Sequence, residues 1–235
     1  IYRTHLTPNT VQYKDPKTGA VATVEYAKAI GCGAYHALFT VSSKKHGSQV
    51  YATGMNNYGQ LGIKDPDSKK EKWRNIPELV SELSPYNVAM IQAGEHHSVV
   101  LDASGRVYSF GRGDSGQLGR KGPDDSKGRV SEGYFDPIPG RVGKAMVGHA
   151  IKQISCGSNH TLALSIENNI FAWGYGDNGS LGQGKEEDSL FPIQLREKEL
   201  KKGQGHQVVQ VEAGGQHSCA IIMDEPSSKK RKSMF

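Results

Sequence analysis

Apolar residues along this chain alternate with polar ones in short runs, and no sizeable stretch places them at helical spacing. Residues 98–101, 107–110, 161–165 and 170–173 are rich in Val, Leu, Ile and aromatic side chains and are bounded by glycine-containing turns, which predicts strands. The pattern also recurs. Residues 50–62 read VYATGMNNYGQLG, residues 107–119 read VYSFGRGDSGQLG and residues 170–182 read IFAWGYGDNGSLG, their starts lying 57 and 63 positions apart. A second element, a small residue followed by Gly-x-x-His, occurs at 32–36, 93–97, 156–160 and 213–217, with its last histidines 61, 63 and 57 positions apart. Each period therefore holds a strand entering the histidine turn, a strand leaving it and a strand closing on the glycine-rich segment. A fourth, outer strand is predicted at 135–138 and 190–195, where proline is tolerated because an edge strand does not need every N–H. Four antiparallel strands in each period of about 60 residues predict an all-β fold, a β-propeller. Three full periods flanked by incomplete ones amount to about three and a half blades, against ~4 to 8 in a closed ring. The expectation is a piece of a propeller, or a chain that closes its ring with another chain.

Composition narrows the reading. The 235 residues include 29 glycines and 10 prolines, with 36% hydrophobic and 23% charged residues and a mean hydropathy of -0.56, a profile of turns and strands rather than of helical bundles or disorder. No run approaches the ~18 apolar residues of a spanning helix, and residues 1–10 lack a signal-peptide layout, so no membrane partner is expected. The net charge of +5 is misleading as a sign of nucleic-acid binding, because Lys229, Lys230, Arg231 and Lys232 supply four of those charges. Cys32, Cys156 and Cys219 are odd in number and lack CxxC or zinc spacing, which points to a reducing compartment without a disulfide framework or a metal site.

Several motifs need weighing against what a repeat protein contains anyway. Residues 111–116 and 174–179 satisfy G-x-G-x-x-G, but a dinucleotide site needs a helix immediately afterwards. Gln-Leu-Gly or Ser-Leu-Gly and more loop follow instead, so these glycines read as turn residues. His36, His97, His160 and His217 stand one per period, which spreads them around a ring instead of gathering them on an ion. His36, His97 and His160 are read as structural, their ring nitrogens bonding nearby turn backbone, and His217 as structural in the same way or as a partner contact. In Glu95-His96-His97 the extra histidine, His96, is expected to project towards the loop face, as a partner contact or as a turn residue. Asn56, Asn57 and Tyr58 align with Asp114 and Ser115 and with Asp177 and Asn178, as Asx-type turn formers or as polar readout of a partner's basic surface. No nucleophile elbow or diagnostic catalytic triad is present, and neither catalytic residues nor a cofactor are expected. The sequons at Asn159 and Asn178 and the tripeptide Arg112-Gly113-Asp114 read as coincidence. Residues 64–75, 120–133 and 198–205 read as solvent-facing loops. The cluster Lys229-Lys230-Arg231-Lys232 reads as a solvated end, a nuclear import signal or a contact to DNA phosphates.

Gln-Leu-Gly at 60–62 and 117–119, the preceding Val-Tyr-Ala-Thr-Gly, Val-Tyr-Ser-Phe-Gly and Ile-Phe-Ala-Trp-Gly, and Ala-Gly-x-x-His resemble the repeat of the regulator of chromosome condensation family, over about residues 25–225. Repeats of this kind also occur in ubiquitin-ligase subunits and signalling scaffolds, so the fold is better specified than the function. Residues 171–178, 181–188 and 191–193, with Tyr-Ser-Phe-Gly-Arg at 108–112 and the doubled His96-His97, are most similar to the family's guanine-nucleotide exchange factors for the small GTPase Ran. The resemblance implies the C-terminal half of a seven-bladed ring over residues 1–225, followed by a basic tail at 226–235. It further implies a nuclear protein whose partners are a Ran-type GTPase and chromatin. It places Asn57, His96, Arg112, Asp114 and His217 on the GTPase-facing side, and assigns the nucleotide-directed wedge and the main nucleosome contacts to an N-terminal half. The alternative is a repeat-based scaffold or ubiquitin-ligase module without exchange activity.

Overall fold

Residues 12–14, 18–23, 26–43, 47–64, 72–120, 131–195 and 206–224 are described by the structure, a computed structural model. Strands β1 (Gln12–Lys14) and β2 (Val21–Thr23) pair as a hairpin. Three four-stranded antiparallel sheets follow, each in chain order from its inner to its outer strand. The first is β3 (Ile30–Cys32), β4 (His36–Ser43), β5 (Gly47–Met55) and β6 (Trp73–Leu79). The second is β7 (Val88–Ala93), β8 (His97–Asp102), β9 (Val107–Arg112) and β10 (Phe135–Arg141). The third is β11 (Ile151–Cys156), β12 (His160–Ser165), β13 (Ile170–Gly174) and β14 (Ser189–Gln194). A two-stranded sheet, β15 (His206–Ala213) and β16 (Ser218–Asp224), ends the described chain. Helical structure among the described residues is confined to single turns at Ser81–Leu83, Lys144–Met146 and Asp177–Gly179.

The middle strands are apolar on both faces because sheets pack against both of their faces. Every residue of β8, β12 and β13 is buried. Along β8, Val100 joins Leu38, Val50 and Phe110 between the first and second sheets, whereas Val99 and Leu101 join Ile154, Phe171 and Trp173 between the second and third. Leu162, Leu164, Val208 and Val211 continue this packing to the last sheet. Each outer strand of the four-stranded sheets carries proline, at Pro77, Pro137, Pro139 and Pro192, and shifts register against its neighbour. Proline at these edges spares the ladder. The inner turns line an open pocket of about 300 Å³ formed by Gly33, Gly94, Gly157 and Gly214 together with Cys32 and Cys156. Blade-like sheets stacked with their inner turns side by side are the all-β propeller architecture that the repeat predicts.

Candidate functional site

The Gly-x-x-His turn explains how neighbouring sheets are held. The His36 Nε2 atom lies 2.8 Å from Ser98 Oγ, and that hydroxyl donates to the Gln60 carbonyl at 2.8 Å. A serine hydroxyl has one proton to give, so His36 must donate from Nε2. The pattern recurs. His97 Nε2 meets Thr161 Oγ1 at 3.1 Å, with Thr161 directed at the Gln117 carbonyl, and His160 Nε2 meets Ser218 Oγ at 3.0 Å, with Ser218 donating to the Ser180 carbonyl. Burial pushes these histidines down, to about 4 for His36, about 3 for His97 and about 4 for His160. They are neutral donors that tie one sheet to the next. This corrects the expectation that the rings bond their own turn's backbone: the acceptor is a hydroxyl of the following sheet.

The turn glycine follows from the same packing. A Cβ on Gly94 would lie 2.3 Å from His97 Cε1 and 2.6 Å from the Gly157 carbonyl oxygen, and Gly33 and Gly157 are hemmed in alike. Backbone bonds close the contact, from Glu95 N to the Ser158 carbonyl and from Ser158 N to the Gly215 carbonyl, both 3.0 Å. The glycines at the ends of the third strands, Gly54, Gly111 and Gly174, have φ of +104°, +108° and +106°. Each turns the chain back over the carbonyl of the residue preceding a turn histidine, which leaves no room for a side chain. No helix follows either G-x-G-x-x-G segment. Gly116 N to the Gly113 carbonyl and Gly119 N to the Gly116 carbonyl form consecutive tight turns, so the loops present side chains.

Those loops bring His96 into a cluster. Its ring stacks on Tyr35 with centroids 5.2 Å apart and rings 15° from parallel, and it meets Tyr58 at 4.8 Å. Tyr58 in turn touches Phe135 edge-on and lies under the Arg112 guanidinium at 5.4 Å. The Arg112 Nε donates to both Asp114 carboxylate oxygens, at 2.8 and 3.0 Å, and this pairing raises the guanidinium further. The Glu95 carboxylate stands 3.7 Å from His96 Nε2. Burial lowers the His96 pKa, with Glu95 opposing. The His96 side chain is only 14% exposed, so it is wedged between two tyrosines instead of projecting freely from the loop face.

Of the residues singled out in the sequence, His96, Arg112 and Asp114 come together, and Asn57 is exposed beside Tyr58. His217 is exposed in the turn between β15 and β16, in a separate place. Lys229, Lys230, Arg231 and Lys232 lie outside the described residues. Sequence reasoning missed Tyr35, Glu95 and Phe135, and gave Tyr58 no aromatic role. Tyr35 occupies the same turn position as His96, Asn159 and Gln216, which was the available signal. On the same face Asn178 Nδ2 donates to Gln216 Oε1 at 3.2 Å, and Tyr175 bonds Asp177. Among the described residues no three His, Cys, Asp or Glu side chains converge as metal ligands. No helix among them is long and apolar enough to cross a membrane. Burial pushes the Cys156 thiol up to about 12, far from a reactive thiolate. The cluster is equipped for recognition, through aromatic faces, a fixed cation and carboxylates.

The RCC1-like domain family model matches residues 2–220. The chain is 34% identical to the ultraviolet-B receptor UVR8 of Arabidopsis thaliana over 83% of its own length and 39% of the receptor's. It is 30% identical to the human regulator of chromosome condensation over 95% of its own length and 47% of that protein's. The chain thus spans less than half the length of these curated relatives. Its fold is similar to that of Prp20p from Saccharomyces cerevisiae, with a TM-score of 0.70 and 24% identity over 90% of this chain and 47% of that one. The Prp20p structure was described with that protein's binding properties to Gsp1p and histones.

Proposed function

Because the chain belongs to the RCC1-like domain family, we propose that it forms part of a guanine-nucleotide exchange factor for a Ran-type small GTPase. The observation that carries this reading is the loop-face cluster in which His96 packs between Tyr35 and Tyr58, with Arg112 and Asp114 locked together beside it. Buried aromatic anchors and a fixed arginine are what protein-binding hot spots use. Nucleotide exchange makes and breaks no covalent bond. The factor binds the nucleotide-free GTPase more tightly than the loaded form, and that differential affinity expels the nucleotide.

In this reading Asn57, His96, Arg112, Asp114 and His217 face the GTPase, and residues 1–225 are part of a seven-bladed ring completed by sequence outside this chain. Nuclear localisation and chromatin partners are supported by the name of the human relative and by the binding properties described for Prp20p. The basic tail at 226–235 serves as an import signal or a phosphate contact. The test is release of a fluorescent GDP analogue from purified Ran with the full-length protein, with this chain alone and with the His96→Ala variant. Accelerated release by the full-length protein, reduced by His96→Ala and weak with this chain alone, is the expected result. Absence of acceleration by the full-length protein moves it to a second reading, a binding module without exchange activity. That alternative, a scaffold or a ubiquitin-ligase module, is favoured by the 34% identity to a protein named an ultraviolet-B receptor and to one named a probable E3 ubiquitin-protein ligase.

A further inference from the structure

The loop-face cluster contains one cation site that is already filled and a second set of groups of the same chemistry. In the first, the Arg112 guanidinium lies 5.4 Å from the Tyr58 ring centre and is gripped by Asp114. An aromatic face and a carboxylate thus hold a guanidinium from two sides, a combination that strengthens when partly desolvated. The second set is Tyr35 and Glu95. Tyr35 is 45% exposed, its inner face stacked on His96. Glu95 keeps 35% of its side chain exposed, its one ion pair within 4 Å among the described residues is the His96 ring at 3.7 Å, and it acts on the Arg112 guanidinium, which Asp114 already grips, only from farther off. That ring is a poor counter-ion, since burial disfavours its charged form. Glu95 also lines the open pocket among the inner turns, where its backbone is pinned to Ser158.

We propose that Tyr35 and Glu95 form a cradle for one guanidinium or ammonium group of the protein partner, and that His96 is the positioning residue that wedges both in place. The inference rests on the exchange-factor reading for the identity of that partner. It assigns contact to Tyr35 and Glu95, and it moves His96 from direct contact to support. Tyr58 cannot serve in the same way, because Arg112 already lies over its ring and His96 packs on it too.

The experiment is binding of the full-length protein to purified nucleotide-free Ran, followed by surface plasmon resonance across a salt series, with thermal melts to confirm folding. Tyr35→Leu and Glu95→Gln should each weaken binding about tenfold, with the double variant well short of a hundredfold because both act on one cation. Tyr35→Phe should recover most of the loss in Tyr35→Leu, since the ring face is what is used. His96→Phe, which refills the gap between the tyrosines, should recover most of the loss in His96→Ala. Glu95→Gln should also flatten the salt dependence. Unchanged affinity in Tyr35→Leu and Glu95→Gln, or failure of His96→Phe to recover binding, overturns the cradle while leaving the exchange-factor reading standing. If the unsubstituted protein does not bind Ran at all, the reading itself is overturned and the cradle with it.

Discussion

His36, His97 and His160 do the same work three times, and that makes the protein's stability depend on pH in a definite direction. Each ring is held neutral, with its pKa lowered by burial to about 4, 3 and 4 respectively, against 6.5 for a free side chain. Between the folded and unfolded values the unfolded chain binds more protons, so stability is full above pH 6.5 and is lost as pH falls towards 4. Three sites of this kind cost on the order of 2 kcal/mol each by pH 5. Thermal melts should therefore show Tm falling steadily from pH 7 to pH 5, with a shallower slope in His97→Gln; a Tm that is flat over this range contradicts the relay. The hydroxyl matters as much as the ring. Ser98→Ala leaves both the Gln60 carbonyl and His36 Nε2 without their buried partner, and should destabilise by roughly 1–3 kcal/mol in chemical denaturation. The same substitution at the exposed Ser84 should cost far less.

At the scale of the sheets, the glycine of the histidine turn is held tightly between its own histidine and the neighbouring sheet. Gly94→Ala forces a methyl group against both His97 and the Gly157 carbonyl of the next sheet, and overpacking of this kind costs about 1–3 kcal/mol. Gly215→Ala meets only Ser158 Oγ, at 3.8 Å, and equilibrium denaturation should find it near neutral; equal effects at the two sites would refute the packing account. Most of the strands were legible in the sequence, because a recurring period fixes their number and order and the unbroken apolar runs of β8, β12 and β13 mark strands covered on both faces; β6 was not, since residues 73–75 at its start belong to a charged stretch that reads as a loop and carry no apolar run. The His96 cluster was only half legible. Aligning the repeats shows that Tyr35, His96, Asn159 and Gln216 are equivalent, yet it cannot show that Tyr35 and Tyr58 of one period close on His96, Arg112 and Phe135 of the next. The same limit explains the misread histidines. A turn histidine beside flexible backbone suggests a local bond, whereas its acceptor lies a full period away, 62 residues on for Ser98 and 64 for Thr161.

Across the whole molecule, sheets touch mainly their neighbours in the stack, so stability should be graded along it as in other repeat architectures. The second and third sheets are packed on both faces, and Phe110, Phe171 and Trp173 are fully buried there. The sheet of β15 and β16 packs through Val208 and Val211 against the third sheet, but it exposes Ile221, Ile222 and Met223. Apolar surface of that kind, at about 25 cal/mol per Å², is a substantial reserve of stability if another sheet covers it. Hydrogen exchange read by mass spectrometry should find β8, β9, β12 and β13 most protected in this chain, and β15 and β16 among the least. If sequence outside this chain completes the ring, as proposed, the gradient should change shape in that longer protein: protection of β15 and β16 should rise by tenfold or more, because opening them would then require breaking an interface on each face. The middle sheets, whose neighbours are the same in both, should change little. Equal protection of β15 and β16 in the two proteins would mean that nothing packs on their exposed face, and the proposal that outside sequence completes the ring would fail with it.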